Sequence, residues 1–212
     1  MQDKVVSITQ TRGNVLVSFE AAEPLRLSPA DFAALPLTEG QSVDVAAYRV
    51  QLIRRQSTEA LQRAVALLAA RARSRRELER RLLERGLLPQ AVAAALARLE
   101  AEGLVDDEAF ARAWAQARAA RSMGRARILQ ELRLKGVPDA AAQGAVAALD
   151  PDGQQEQAVQ IARKLWARQD DPASPAARRR MLAAMQRRGY GYAEAARALQ
   201  AAQEEADDPD EP

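Results

Sequence analysis

The chain has no cysteine and no histidine among its 212 residues. Disulfides, zinc sites of the Cys/His kind, Ser-His or Cys-His nucleophile pairs and imidazole acid–base chemistry are therefore excluded. Aromatic residues make up only 4%. Apolar runs such as Ala64 to Ala70 are broken by arginine well short of the roughly 20 residues a membrane span needs. Met1-Gln2-Asp3-Lys4 does not open like a signal peptide, so a cytoplasmic protein is expected. Lysine occurs only at Lys4, Lys135 and Lys164, none followed by Ser or Thr, and no Walker-type phosphate loop exists. Gly189-Tyr190-Gly191 lacks the rest of a dinucleotide fingerprint and reads as a turn.

What is present is alanine, leucine and arginine. Hydrophobic residues reach 48%, enough for a core, and Ala and Leu are strong helix formers. The formal charge of +2 conceals a pattern. Residues 1–56 balance six basic against six acidic groups; 57–149 carry sixteen against eleven and 150–199 nine against six, while 200–212 hold six acids and no base. A basic body is followed by an acidic tail, expected to be disordered over 204–212.

The first 56 residues differ from the rest. Val5, Val6 and Ile8, then Val15, Val17 and Phe19, flank the turn-like Arg12-Gly13-Asn14 and predict a β-hairpin. Ser28-Pro29 opens a short helix, and Gly40 to Val45 reads as a further strand. From Ser57 onward the sequence is helical and repeats itself. Aligned on Gly86, Gly136 and Gly189, three segments place apolar residues eight and four positions earlier: Leu78 and Leu82, Ile128 and Leu132, Met181 and Met185. That spacing lines one helical face. A cation precedes each glycine, as suits the C-terminal cap of a helix.

Each copy has a leading helix (58–71, 108–121 and 154–168) and a trailing one beginning near Pro89, Pro138 and Tyr192. The fold expected is mainly α: three tandem three-helix repeats at 57–106, 107–150 and 151–203 in an elongated, curved array, after a small β-containing N-terminal module. Asp106, Asp107 and Glu108 stand at a helix start, where capping outweighs metal binding or acid–base work. No catalytic constellation emerges, and no metal, cofactor or small-molecule substrate is expected. Trp114 and Trp166 recur at equivalent positions and point to core packing; Tyr190 and Tyr192 are the aromatics expected to be exposed.

There are 28 arginines. In the first repeat their cluster is interleaved with acids that permit local pairing. In the second, Arg118, Arg121, Arg125, Arg127, Arg133 and Lys135 stand near the single acid Glu131; in the third, Arg178, Arg179, Arg180, Arg187 and Arg188 have no acidic neighbour in sequence. Uncompensated arginine suits phosphate or carboxylate partners.

The run Gly103-Leu104-Val105-Asp106-Asp107-Glu108-Ala109-Phe110-Ala111-Arg112, with Gly124-Arg125-Ala126-Arg127-Ile128 and Glu131-Leu132-Arg133-Leu134-Lys135-Gly136-Val137, resembles the RecX regulatory proteins. Ser74-Arg75-Arg76-Glu77-Leu78 and Leu82 resemble that family's first repeat. The resemblance implies tandem three-helix repeats and a non-enzymatic protein that binds the groove of the RecA filament on single-stranded DNA. It further implies inhibition of ATP hydrolysis, strand exchange and coprotease activity, and so modulation of DNA repair and the SOS response. The family offers no point-like active site to transfer, so the candidate RecA- or DNA-binding surface rests on charge: Arg75, Arg76, Arg121, Arg125, Arg127, Arg133, Lys135, Arg178, Arg179, Arg180, Arg187 and Arg188. The alternative is a free-standing DNA-binding regulator with helix-turn-helix-like units and phosphate contacts to single- or double-stranded DNA.

Overall fold

The computed structural model describes residues 2–11 and 13–207. Position 12 of the expected hairpin turn and residues 208–212 of the expected tail lie outside the described residues. Strand β1 (Gln2–Thr11) pairs antiparallel with β2 (Asn14–Phe19), with Ile8 opposite Val17 and a bulge between Val5 and Ser7. Val5, Val15, Val17 and Phe19 are buried on the face that forms the core. Two short strands complete a sheet of order β3-β2-β1-β4: β3 (Leu25–Leu27) beside β2, and β4 (Ser42–Asp44) beside the start of β1. Strand β3 is an addition to the expected elements, its two buried leucines being too few to show a period. Helix α1 (Pro29–Ala34) starts as expected, with Ser28 Oγ accepting from the Asp31 N–H at 3.0 Å.

The chain forms two compact units, one of residues 1–73 with 78–105 and the other of residues 74–77 with 106–212. In the first, α2 (Val45–Ala70) is one 26-residue helix started by Asp44, whose carboxylate accepts from the N–H groups of Ala46 and Ala47. It begins well before residue 58 and runs unbroken through the sequence boundary at 56/57. Val45, Tyr48 and Leu52 pack against the sheet, while Ala60 and Ala64 pack with Leu78, Leu82, Leu96 and Leu99. The latter leucines belong to α3 (Arg75–Leu83) and α4 (Pro89–Ala101).

A buried polar network ties the module to the first repeat. Asp31, 1% exposed, accepts from Arg55 Nε at 3.1 Å, Gln56 Nε2 at 2.8 Å and Ser28 Oγ at 2.7 Å. Gln56 Oε1 in turn accepts from the Leu88 N–H at 2.7 Å. A buried carboxylate is tolerated when donors surround it, as here.

The second unit holds two further three-helix sets: α5 (Asp107–Ala119), α6 (Arg125–Leu134) and α7 (Asp139–Ala147), then α8 (Pro151–Trp166), α9 (Pro175–Arg187) and α10 (Tyr192–Asp207). Asp106 caps α5 by accepting from the Ala109 N–H at 2.9 Å. The repeat-defining pairs are buried throughout. At about 1.5–3 kcal/mol per buried Leu, Ile or Met side chain, they are a main source of each repeat's stability. Gly86, Gly136 and Gly189 adopt φ of +80°, +75° and +93°, the left-handed cap conformation.

The cap explains one correction. After Gly189, the Tyr190 N–H bonds back to the Met185 carbonyl at 3.2 Å, which turns its ring inward. Tyr190 is therefore buried, and Tyr192 alone of the pair is exposed. A second correction concerns the tail: α10 continues through residues 204–207, held by Gln200 Nε2 donating to Glu204 Oε1 at 2.9 Å and by an Arg163–Glu205 ion pair.

Candidate functional site

The structure divides the sequence-predicted cations into two groups. In the second repeat most are committed internally. Glu131, half-buried on α6, receives Arg118 at 2.7 Å and Arg127 at 3.5 Å, and Trp114 Nε1 donates to it at 3.2 Å. Arg133 pairs with Asp139 at 2.6 Å, and this hydrogen bond holds the Asp139 carboxyl below its ordinary 3.8. Arg125 Nη2 donates to the Leu149 carbonyl at 2.9 Å. Arg121 is exposed and has no ion pair with any described residue.

Lys135 is held most firmly. Its ammonium lies 3.6 Å from Glu77, the two side chains being only 18% and 10% exposed, and 4.0 Å from the centre of the Trp114 ring. Arg118 also packs on Trp114, at 4.4 Å, and Phe110 stacks beside it. Trp114 and Trp166 are thus packed against the repeat cores, as their recurrence predicts. Of the first-repeat candidates, Arg75 donates its backbone N–H to Asp107 at 2.8 Å, and the stem of Arg76 fills the space a side chain on Gly136 would need.

Sequence reasoning missed why those positions matter: the starts of α3 and α6 each meet the end of the next repeat's middle helix. Ser74 Oγ donates to the Lys135 carbonyl at 2.5 Å. Gly124 has no side chain to cap α6; instead its N–H donates to the Arg188 carbonyl at 2.9 Å, and Ala126 N–H to the Gly189 carbonyl at 3.2 Å. A Cβ on Gly124 would meet Gly189 backbone at 2.3 Å. The available signal was alignment: Ser74 and Gly124 both stand twelve residues before their repeat's glycine.

Helix α9 is different. Its N-terminus is closed by its own Ser174 and Pro175. Arg178, Arg179, Arg187 and Arg188 are exposed and make no ion pair with any described residue. Arg180 donates to Gln169 Oε1 at 3.0 Å, a neutral partner. Met181 and Met185 fix the buried side of the helix, so Arg179 and Arg187, two turns apart through Ala183, form an outward row about 12 Å long. The candidate interface left by the geometry is this face of α9. Among the described residues no group of His, Cys, Asp and Glu could hold a metal, and no helix is long and apolar enough to cross a membrane.

Comparison with known proteins accounts for the same three blocks. The first, second and third three-helix domains of RecX match residues 60–99, 106–146 and 152–199. The chain is 40% identical over 131 residues to the regulatory protein RecX of Mycolicibacterium vanbaalenii, covering 58% of this chain and 71% of that one. It is 36% identical over 130 residues to that of Xanthomonas campestris pv. campestris, covering 61% and 79%. Two crystal structures share the fold: one of regulatory protein RecX (TM-score 0.62, 20% identity, 91% of this chain and 96% of that one) and one of RecX from Lactobacillus salivarius (TM-score 0.67, 19% identity, 71% and 98%). With three consecutive domain matches and relatives at this identity, the chain belongs to the RecX family of regulatory proteins.

Proposed function

We propose that the chain is a non-enzymatic negative regulator of RecA recombinase. It binds the groove of the RecA filament on single-stranded DNA and inhibits ATP hydrolysis, strand exchange and coprotease activity, thereby modulating DNA repair and the SOS response. The observation that carries this reading, beyond family membership, is the α9 face: exposed arginines that no carboxylate among the described residues neutralises. Like charges on one helix repel, and arginine forks fit carboxylate and phosphate oxygens, so such a face gains from meeting a large anionic partner. The site is therefore narrower than the charge-based set, with Arg178, Arg179, Arg180, Arg187 and Arg188 at its centre and Arg121 as an outlying cation.

The competing reading, a free-standing regulator reading duplex DNA, is weakened by the third helix of each set, where a helix-turn-helix protein places its base-reading residues. Helix α7 has no basic residue, and α4 and α10 carry one each, Arg98 and Arg197. Arg98 is already paired with Glu102 at 2.8 Å. The test is RecA's single-stranded-DNA-dependent ATP hydrolysis with increasing amounts of the full chain. Inhibition at well below one molecule per RecA is expected. Full activity at saturating chain, together with tight duplex binding in the absence of RecA, would reverse the preference.

A further inference from the structure

The first two repeats contain the same helix pair with different contents. Helices α2 and α5 align on fully buried alanines, Ala60 and Ala64 with Ala111 and Ala115, and α3 and α6 align on the glycines that follow them, Gly86 and Gly136. This alignment sets Arg63 and Leu67 at the places of Trp114 and Arg118, and Arg81 and Arg85 at those of Glu131 and Lys135. Residues four apart share a helical face, and in each repeat these four positions meet at the groove between the two helices.

The second repeat fills its groove with its own side chains. The Trp114 ring lies 4.4 Å from the Arg118 guanidinium and 4.0 Å from the Lys135 ammonium. Its Nε1–H donates to Glu131 at 3.2 Å, and Glu131 pairs with Arg118 at 2.7 Å. An aromatic ring and a carboxylate together answer the two cations.

The first repeat has the cations without that complement. Its groove is an open cavity of about 330 Å³, lined by the apolar Ala66, Leu67 and Leu82 and by Arg63, Arg81 and Arg85. Arg81 and Arg85 are exposed and make no ion pair with any described residue. Arg63 is tied to Glu59 at 2.6 Å, and Glu84, also in the lining, pairs with Arg80 at a long 3.8 Å. Two cations one turn apart repel each other and gain from a carboxylate between them, while the apolar lining gains from whatever hides it from water.

We propose that the α2/α3 groove binds an acidic protein segment through one large aromatic side chain, its ring against Leu67 and Arg85 and an adjacent carboxylate on Arg81. A protein segment is favoured over a nucleic-acid strand because the equivalent groove holds a ring and a carboxylate, and because Glu84 opposes a run of phosphates. The assignment uses neither RecA nor the α9 face, so it stands or falls separately from the regulatory function.

The test titrates the full chain into a fluorescein-labelled peptide, Asp-Glu-Trp-Glu-Asp, and follows anisotropy. Its controls are the same peptide with alanine in place of tryptophan and a labelled pentathymidylate. The tryptophan peptide should bind at least about tenfold more tightly than either control, the scale of a ring buried against cations. Arg81→Gln/Arg85→Gln, at exposed positions, should weaken it by roughly tenfold. Arg63→Trp, which gives this groove the ring its counterpart has, should abolish binding with helicity kept, whereas Arg63→Gln removes the same charge and should cost no more than about threefold. Equal affinity for the tryptophan and alanine peptides would reduce the groove to a charged surface, and tighter binding of pentathymidylate would make it a strand site. No binding by the folded chain, or binding that survives Arg63→Trp, would show that the groove takes no such segment. Each of these outcomes overturns the proposal.

Discussion

Helix α6 commits Arg127 to Glu131 and Arg133 to Asp139, and its cap residue Lys135 reaches Glu77; helix α9, at the same place in the next repeat, leaves Arg178, Arg179, Arg187 and Arg188 facing solvent. The two segments look alike as arginine-rich strings. They differ in whether a carboxylate arrives from elsewhere in the fold. The cations of the second repeat work as fasteners, joining α5, α6 and the first turn of α3, whereas those of the third have no internal task. The capping follows the same division: α6 is closed by the carbonyls of Arg188 and Gly189, while α9 is closed by its own Ser174.

The largest expected effect sharpens the capping contrast. Gly124→Ala places a methyl group on the Gly189 backbone, which cannot give way as a flexible side chain would. A loss of about 3 kcal/mol in urea unfolding is expected, against about 1 kcal/mol for Gly86→Ala, where only the left-handed φ is strained and the surrounding space is open. Equal losses at the two glycines would mean that the junction between repeats contributes nothing special.

Next comes the charge contrast itself. Lys135→Met removes the ammonium that Glu77 meets in a mostly buried position and should cost roughly 1–2 kcal/mol, whereas Arg187→Met should stay within about 0.5 kcal/mol. Trp114 offers a local readout, since Lys135 sits on its ring and removal of the ammonium should change its fluorescence. If Arg187→Met proved as damaging as Lys135→Met, α9 would have an internal partner after all, and the comparison would collapse.

The smallest effect is pH-dependent. The Arg133 hydrogen bond depresses the Asp139 pKa below 3.8, so the pair stabilises the fold above that value and the contribution disappears as pH falls through the lower folded value. The stability gap between wild type and Asp139→Asn should therefore narrow on acidification below pH 3.8. A gap that stayed constant, followed by thermal melts across that range, would show that the pair is electrostatically idle.

The repeats were legible because the signals that build them are local. Apolar residues eight and four before each glycine, and the glycine itself, specify helix face and helix end within a dozen residues. The residue after each glycine, Leu87, Val137 and Tyr190, is buried in all three copies, and the same alignment would have placed Tyr190 inside had this position been compared. What escaped reading depends on partners distant in sequence. The Ser74–Lys135 contact spans 61 positions, the Leu88–Gln56 bond 32 and the Gln56–Asp31 bond 25. Counting charge along the chain treats Lys135 and Arg187 as equals, although one is enclosed by Glu77 and Trp114 and the other meets only solvent. The early start of α2 escaped for another reason: its first turns, from Val45 to Ile53, are apolar almost throughout and show no clear period, and only the packing of Val45, Tyr48 and Leu52 on the sheet marks their buried side.

The most direct measurement of the central claim compares three proteins in RecA's single-stranded-DNA-dependent ATP hydrolysis: the wild-type chain, Arg179→Gln/Arg180→Gln/Arg187→Gln, and Arg133→Gln. The account predicts at least about a tenfold higher concentration for half-inhibition by the triple variant, as several charge-assisted contacts are lost, and a change within about twofold for Arg133→Gln, with helicity unchanged in both. Unchanged inhibition by the folded triple variant would contradict the assignment of the α9 face.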